Sequence, residues 1–230
     1  WKMDERFSRT IGVIGEDNFK KLNNSSVIVF GLGGVGGAVC EALVRSGVGT
    51  IALVDKDTVD ITNINRQVIA TTQTVGMRKT DAAEKRLLSI NPDLKVIKYD
   101  LFYLPETADE IDLTEYDYAV DCIDNVTAKL ELAVRCEQAG VPLISSMGTG
   151  NKLHPELFEI TDINKTSVCP LARVMRRELK NRGVKKLTVV YSKEEPIKTE
   201  NSVPGSVPFT PPVAGYLMAS YVINKLLEEV

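Results

Sequence analysis

The chain offers little thiol or imidazole chemistry. It has four cysteines in 230 residues, Cys40, Cys122, Cys136 and Cys169, and no two of them form a CxxC pair. That spacing excludes a zinc ribbon and a disulfide scaffold, so a reducing, cytoplasmic setting is the expectation. The single histidine, His154, is followed by Pro155 and reads as a loop residue rather than a general base. No apolar run reaches the roughly 18 residues that span a bilayer. The longest candidate, Val213 to Leu227, is interrupted by Ser220, Asn224 and Lys225. Charge of one sign is also missing: Lys plus Arg number 28 against 31 for Asp plus Glu, a net charge of −3, so any basic face must be local. There is no internal repeat and no low-complexity tract. What is present, 43% hydrophobic and 26% charged residues, suffices for one sizeable globular core. The chain opens Trp1-Lys2-Met3, and further residues are expected ahead of it.

Apolar runs alternate with segments of helical spacing. Val27 to Phe30 is followed by a glycine cluster and a helical stretch from Ala38 to Arg45, and Ile51 to Val54 ends in Asp55. A helix is predicted over 79–90, a strand over 96–99, a strand at Tyr118 to Val120, a helix over 126–139 and a strand over 142–145. Strands joined through helices of this length require crossover connections. The predicted fold is therefore α/β: a Rossmann-like, doubly wound, mostly parallel sheet with helices on both faces. Residues 1–150 read as its core. Residues 151–230 read as an α/β extension sharing the same sheet, with a short apolar stretch over 157–163, a basic helix over 169–182, a strand over 187–191, a Pro/Ser/Gly-rich loop over 195–212 and a closing helix over 213–227.

In Gly31-x-Gly33-Gly34-x-Gly36, glycines let the backbone turn sharply and approach a ligand, and the following helix presents free N–H groups to phosphate. Asp55, ending the next strand, is placed to accept hydrogen bonds from ribose hydroxyls. Both features suit NAD and ATP alike. The polar run that follows separates them: Asp57, Asp60, Asn63, Asn65, Arg66 and Gln67, then Arg78 and Lys79, then Asp121-Cys122-Ile123-Asp124-Asn125. A nicotinamide needs a flat apolar slot, whereas cations with a strand-end carboxylate suit phosphoryl or nucleotidyl transfer, the cations neutralising triphosphate and the carboxylate holding Mg²⁺. Asp124-Asn125 also reads as the cap of the helix that follows.

Taken in order, these segments resemble the ubiquitin-activating-enzyme-like adenylyltransferase superfamily, which includes the molybdopterin- and thiamine-pathway activators. The motifs are Gly31-x-Gly33-Gly34-x-Gly36, Asp55-x-Asp57, Asn63-Ile64-Asn65-Arg66-Gln67, Gly76-x-x-Lys79 and Asp121-x-x-Asp124-Asn125. The resemblance implies that ATP sits in the glycine loop, with Asp55 on ribose, Arg66 and Lys79 on phosphates and Asp124 on Mg²⁺. Asp57, Asn63, Gln67 and Asn125 complete the nucleotide site. Arg9, in Arg6-Phe7-Ser8-Arg9, is similar to an arginine that crosses a homodimer into the partner's ATP site.

From Leu171 to Lys186 there are seven basic residues and one acid, a local charge of +6 in an acidic chain, which is the footprint of a phosphate-rich partner. No stacking aromatics interleave, so shape and backbone recognition of RNA is expected. Ser145-Ser146-Met147-Gly148, Asn151-Lys152, Asp162 to Thr166, Pro170 to Val174 and Pro211 to Gly215 extend the resemblance, over nearly the full length, to the tRNA threonylcarbamoyladenosine dehydratases. This implies a tRNA substrate whose threonyl carboxylate is activated by ATP, a homodimer, and questions of a monovalent cation and of a sulfur-transfer protein partner. Lys152, Lys165, Arg173, Arg176, Arg177 and Lys180 are the candidates for substrate and tRNA contact, and Asn151 or Ser145 for orienting the activated group. Cys169 stands at a position that is acidic in the family pattern, and the loop over 195–208 is short. Three other readings compete. One is an adenylating activator of a small ubiquitin-like sulfur-carrier protein, disfavoured by the missing CxxC pairs. The others are a nucleotide-gated RNA-binding protein without turnover and an NAD-dependent oxidoreductase.

Overall fold

A computed structural model describes residues 4–200 and 203–228. Its frame is one seven-stranded sheet of β1 (Ser26–Phe30), β2 (Thr50–Val54), β3 (Lys95–Tyr99), β4 (Tyr118–Asp121), β5 (Leu143–Ser146), β6 (Phe158–Asp162) and β7 (Thr188–Ser192), in the order β3-β2-β1-β4-β5-β7-β6. Every pairing is parallel except that of β6 with β7. The central strands are apolar along nearly their whole length because both faces are covered. Alternate residues part company: Val27 and Val29 join the cluster under α3 (Gly34–Ser46) and α7 (Thr210–Glu228), while Ile28 and Phe30 pack with Leu132 and Cys136 of α5 (Val126–Ala139). The edge strand β3 is only partly covered and exposes Lys95 and Lys98, charges that blunt an open edge.

The predicted helices over 79–90 (Lys79–Ile90, here α4) and 126–139 match the observed ones, and the basic helix runs Pro170–Asn181 (α6), with Cys169 and Arg182 as its caps. The last helix starts at Thr210, three residues ahead of the prediction, with two prolines in its first turn where they cost no hydrogen bond. It lies so close on α3 that a Cβ at Gly215 would sit 2.5 Å from the Val35 carbonyl oxygen. Two N-terminal helices, α1 (Ser8–Ile14) and α2 (Glu16–Asn24), escaped the sequence reading. Apart from Phe19 and Leu22, α2 is polar, so its apolar stripe is only two residues wide. No helix among the described residues is long and apolar enough to cross a membrane.

Candidate functional site

The strand order reverses between β1 and β4, and the crevice at the carboxyl ends of such strands is where open α/β sheets bind ligands. A cavity of about 840 Å³ opens there. Every residue expected to hold nucleotide lines it except Gly36. Gly36 acts one layer below: a Cβ there would fall 1.7 Å from the Gly31 carbonyl oxygen, so only glycine lets α3 start this tightly against the turn. Gly33 caps α3 without a side-chain hydrogen bond, which leaves the first N–H groups of that helix to the cavity.

Asp55 fixes this turn while facing the cavity. Its Oδ2 accepts from the Leu32 N–H at 2.7 Å and its Oδ1 from the Asp57 N–H at 2.8 Å. Burial pushes its carboxyl above the usual aspartate range, and the Lys79 ammonium and these two N–H groups oppose that shift. Lys79, 7% exposed, reaches Asp57 Oδ2 at 3.1 Å. Asp57 therefore holds the lysine rather than facing a ligand freely. Asn63 closes a capping box with Asp60 over the turn Ile61–Asn63, aiming the segment that carries Arg66. The Arg66 guanidinium donates from Nη1 to the Thr62 carbonyl at 3.1 Å and to Asn65 Oδ1 at 2.9 Å, and Asn65 donates in turn to the Ser206 carbonyl at 2.9 Å. Gln67 is buried, and its Oε1 has no hydrogen-bond partner. A buried acceptor left open on a cavity wall is the feature a hydroxyl donor would satisfy. Asn125 caps α5 through Oδ1 to the Ala128 N–H at 3.0 Å. Asp124, by contrast, is exposed on the cavity rim.

The sequence reading missed the apolar wall of this cavity, Leu101-Phe102-Tyr103 following β3, where the Lys56 ammonium stands 4.1 Å from the Phe102 ring centroid. The signal available was an aromatic pair just beyond a strand end. Phe30, whose ring meets Tyr103 edge-on at 4.8 Å, backs it.

The second group of predicted residues is scattered. Leu171, in the first turn of α6, lines the same cavity, so the basic helix starts at the cavity wall. Arg173, Arg177 and Lys180 are exposed along it, and Lys165 is exposed in the preceding turn. Arg176 is half-buried and donates to the carbonyl, at 3.0 Å, and the hydroxyl of Thr166, so it braces that turn. The exposed guanidiniums of Arg177 and Arg182 both reach Glu178, the one acid of the patch. Lys152 corrects the sequence reading. It is 3% exposed with its ammonium donating to the Glu194 carbonyl, and burial lowers its pKa, so the fold already engages it where the sequence suggested a surface cation. Asn151, at φ 55°, ties down the loop after β7 by accepting from the Gly205 N–H at 2.6 Å. Ser145 is fully buried and points at Asp121. Cys169 packs in the core with Ala172 and Met175. Arg9 is exposed on α1 and is not among the residues lining the cavity.

With this geometry in place, the relatives fall into line. Residues 7–229 match the model of the ThiF family. A tRNA threonylcarbamoyladenosine dehydratase of Bacillus subtilis is 42% identical over 99% of this chain and 97% of its own. The solved Escherichia coli tRNA N6-threonylcarbamoyladenosine dehydratase in complex with AMP superposes with a TM-score of 0.93 at 30% identity, over 98% of this chain and 95% of that one. Another structure of that enzyme is a complex with ATP, at a TM-score of 0.91. More distant is an adenylyltransferase and sulfurtransferase of Xenopus laevis, 35% identical over 61% of this chain and 32% of its own length. A match over almost the whole chain, on top of the ordered motifs around one cavity, leaves a single conclusion: the chain belongs to the ThiF family and, within it, to the tRNA threonylcarbamoyladenosine dehydratases.

Proposed function

We propose that this chain catalyses the ATP-dependent dehydration of threonylcarbamoyladenosine in tRNA to its cyclic hydantoin form, with residues 1–150 as the adenylating half and 151–230 as the tRNA-binding half. The observation that carries the reading is the convergence of the glycine turn, Arg66, Lys79 and Asp124 on one cavity from which the basic helix departs. An oxygen of the threonyl carboxylate attacks the α-phosphorus of ATP, and the bond to the bridging oxygen breaks to release pyrophosphate. The neighbouring ureido nitrogen then attacks the acyl carbon and loses its proton to phosphate or water, and AMP leaves with the former carboxylate oxygen. ATP hydrolysis to AMP and pyrophosphate accounts for the water removed, and no enzyme thioester is needed.

The residues have distinct tasks in this reading. Asp55 and the open Gln67 oxygen receive ribose hydroxyls, while Gly31, Gly33 and Gly34 let phosphate approach the start of α3. Arg66 and Lys79 neutralise the charge that grows at the α-phosphorus and on leaving pyrophosphate. The donor set suits Mg²⁺, since a hard ion that keeps its waters needs only one carboxylate and the nucleotide's own oxygens. Asp124 would hold it, and the ion would screen the triphosphate. Arg9, exposed and away from its own cavity, enters the site of a second copy. The homodimer also covers Val13 and Ile61, which are 86% and 68% exposed. Lys165, Arg173, Arg177 and Lys180 meet tRNA phosphates. The thiols are free, and the enzyme is assigned to the cytoplasm. The sulfur-carrier alternative is disfavoured by the buried Cys169 and the lack of CxxC pairs.

The test is mass spectrometry of nucleosides from tRNA bearing linear threonylcarbamoyladenosine, incubated with the protein, ATP and Mg²⁺. An ATP-dependent loss of one water supports the reading. Pyrophosphate exchange without that loss would assign the adenylating site to a carrier-protein tail instead.

A further inference from the structure

One group of buried charges near the cavity touches no ligand-facing atom. Asp121, at the end of β4, and Lys129, in α5, are each 0% exposed, as is Ser145 on β5. Asp121 Oδ2 accepts from the Lys129 ammonium at 2.8 Å and from the Ser145 hydroxyl at 2.5 Å, and the ammonium also lies 3.2 Å from Ser145 Oγ. The other carboxylate oxygen, Oδ1, accepts from the Ile123 N–H at 3.0 Å.

A buried ion pair is weak grounds for stability, because desolvation of both charges offsets their attraction, and apolar residues of the same volume often serve the core as well or better. What an ion pair supplies and a leucine cannot is direction. The three side chains belong to three elements whose carboxyl ends, or whose first turns, bound the phosphate end of the cavity. The bond to the Ile123 N–H fixes the Cys122–Ile123 peptide, one peptide ahead of the one that joins Asp124. The carbonyl of Cys122 lies against the glycine turn: a Cβ at Gly31 would fall 2.7 Å from that oxygen, so the turn and the β4–α5 loop have no slack between them. Ser145 leads directly into Ser146-Met147-Gly148, which line the cavity.

We propose that Asp121, Lys129 and Ser145 are a positioning unit for the metal–nucleotide complex. The Asp121 carboxylate, held from both sides, sets the loop that carries Asp124 and keeps that loop in register with the glycine turn. The inference rests on the nucleotide reading above and assigns work to the first aspartate of the Asp121-x-x-Asp124-Asn125 motif, which meets no substrate. Partners that orient a metal ligand through its surroundings typically contribute about 10- to 100-fold in metal affinity.

The experiment is calorimetric titration of the full chain with ATP, once with Mg²⁺ and once with a chelator, alongside thermal melting. The pair Asp121→Leu with Lys129→Met keeps the volume and removes the charges. Its melting temperature should be unchanged or higher, its affinity for ATP in Mg²⁺ should fall about 10-fold or more, and its affinity in chelator should change little. The pair Asp121→Asn with Lys129→Met keeps an acceptor for the Ile123 N–H and turns its amide NH2 to donate to the Ser145 hydroxyl oxygen, and should recover most of the loss. If the leucine pair does not fold, Ser145→Ala carries the test through a loss confined to the Mg²⁺ titration. Folded variants with wild-type affinity in Mg²⁺, or with equal losses in both titrations, overturn the positioning role. A wild-type chain that binds no ATP in either titration overturns the nucleotide reading, and the positioning role with it.

Discussion

The two ends of the cavity manage charge in opposite ways. At the nucleotide end, all but the exposed Asp124 of the expected charged groups are tied to one another, to a polar side chain or to backbone: Lys79 to Asp57, Asp55 to two N–H groups, Arg66 to Thr62 and Asn65. Along α6, Arg173 and Lys180 stand free in solvent, Arg177 meets only its exposed neighbour Glu178, and Arg176 is braced against Thr166 of the preceding turn. Pre-arranged charge suits a reaction centre, where donors must be in place before charge develops. Loosely held charge suits a polyanion, whose phosphates are read by total field and released counterions rather than by fixed geometry. The difference teaches that the same residue type, lysine or arginine, contributes to chemistry or to docking according to whether its own chain has already engaged it.

The sharpest way to break this comparison is Asp124→Ala. Turnover should fall by roughly 10²- to 10³-fold, the scale of losing one electrostatic contact to a transition state, while tRNA affinity in a filter-binding assay stays near wild type. Loss of tRNA binding instead would mean that the two ends had been exchanged. Next in size is the joint change of Arg173, Arg177 and Lys180 to alanine. Affinity for tRNA should drop, and its log–log salt dependence should become shallower by about two to three units, with ATP affinity untouched.

Arg176→Ala separates the built-in cation from the free ones. Breaking its charged hydrogen bonds to Thr166 should destabilise the fold by about 1 to 3 kcal/mol in chemical denaturation, with a smaller change in salt slope than any of the exposed three. The smallest effect concerns protonation. Burial raises the pKa of Asp55 and the Lys79 charge lowers it, so adenosine affinity should fail on acidification at a pH above the ordinary aspartate range. In Lys79→Met, with that opposing charge gone, the acid limb should move to still higher pH. Adenosine is the right probe because it has no phosphate for Lys79 to meet, and a limb that moves to lower pH would contradict the assignment.

Much of the nucleotide end was legible in the chain because its determinants are local. A glycine turn between a strand and a helix, a carboxylate at the next strand end and a cap at Asn125 each need only a few neighbouring residues. The helices at 79–90 and 126–139 were legible in their periodicity, the second also in its Asn125 cap. What stayed hidden depends on partners far along the chain. Lys152 reads as a surface cation until Glu194, forty-two residues on, accepts its ammonium. Asp121 reads as a companion of Asp124 until Lys129 and Ser145 close on it from another helix and another strand. Arg176 reads like its neighbours on α6, and only the fold brings Thr166 beneath it. The small N-terminal helices gave no signal because two buried side chains, Phe19 and Leu22, hold α2 in place and the rest of it is polar.

The central claim is that the threonyl carboxylate attacks the α-phosphorus of ATP, and the most direct measurement follows the oxygen. With ¹⁸O in the threonyl carboxylate of the modified tRNA, one turnover should deliver a single ¹⁸O to the phosphoryl group of AMP, with unlabelled pyrophosphate. Unlabelled AMP, or ADP with labelled inorganic phosphate, would contradict it.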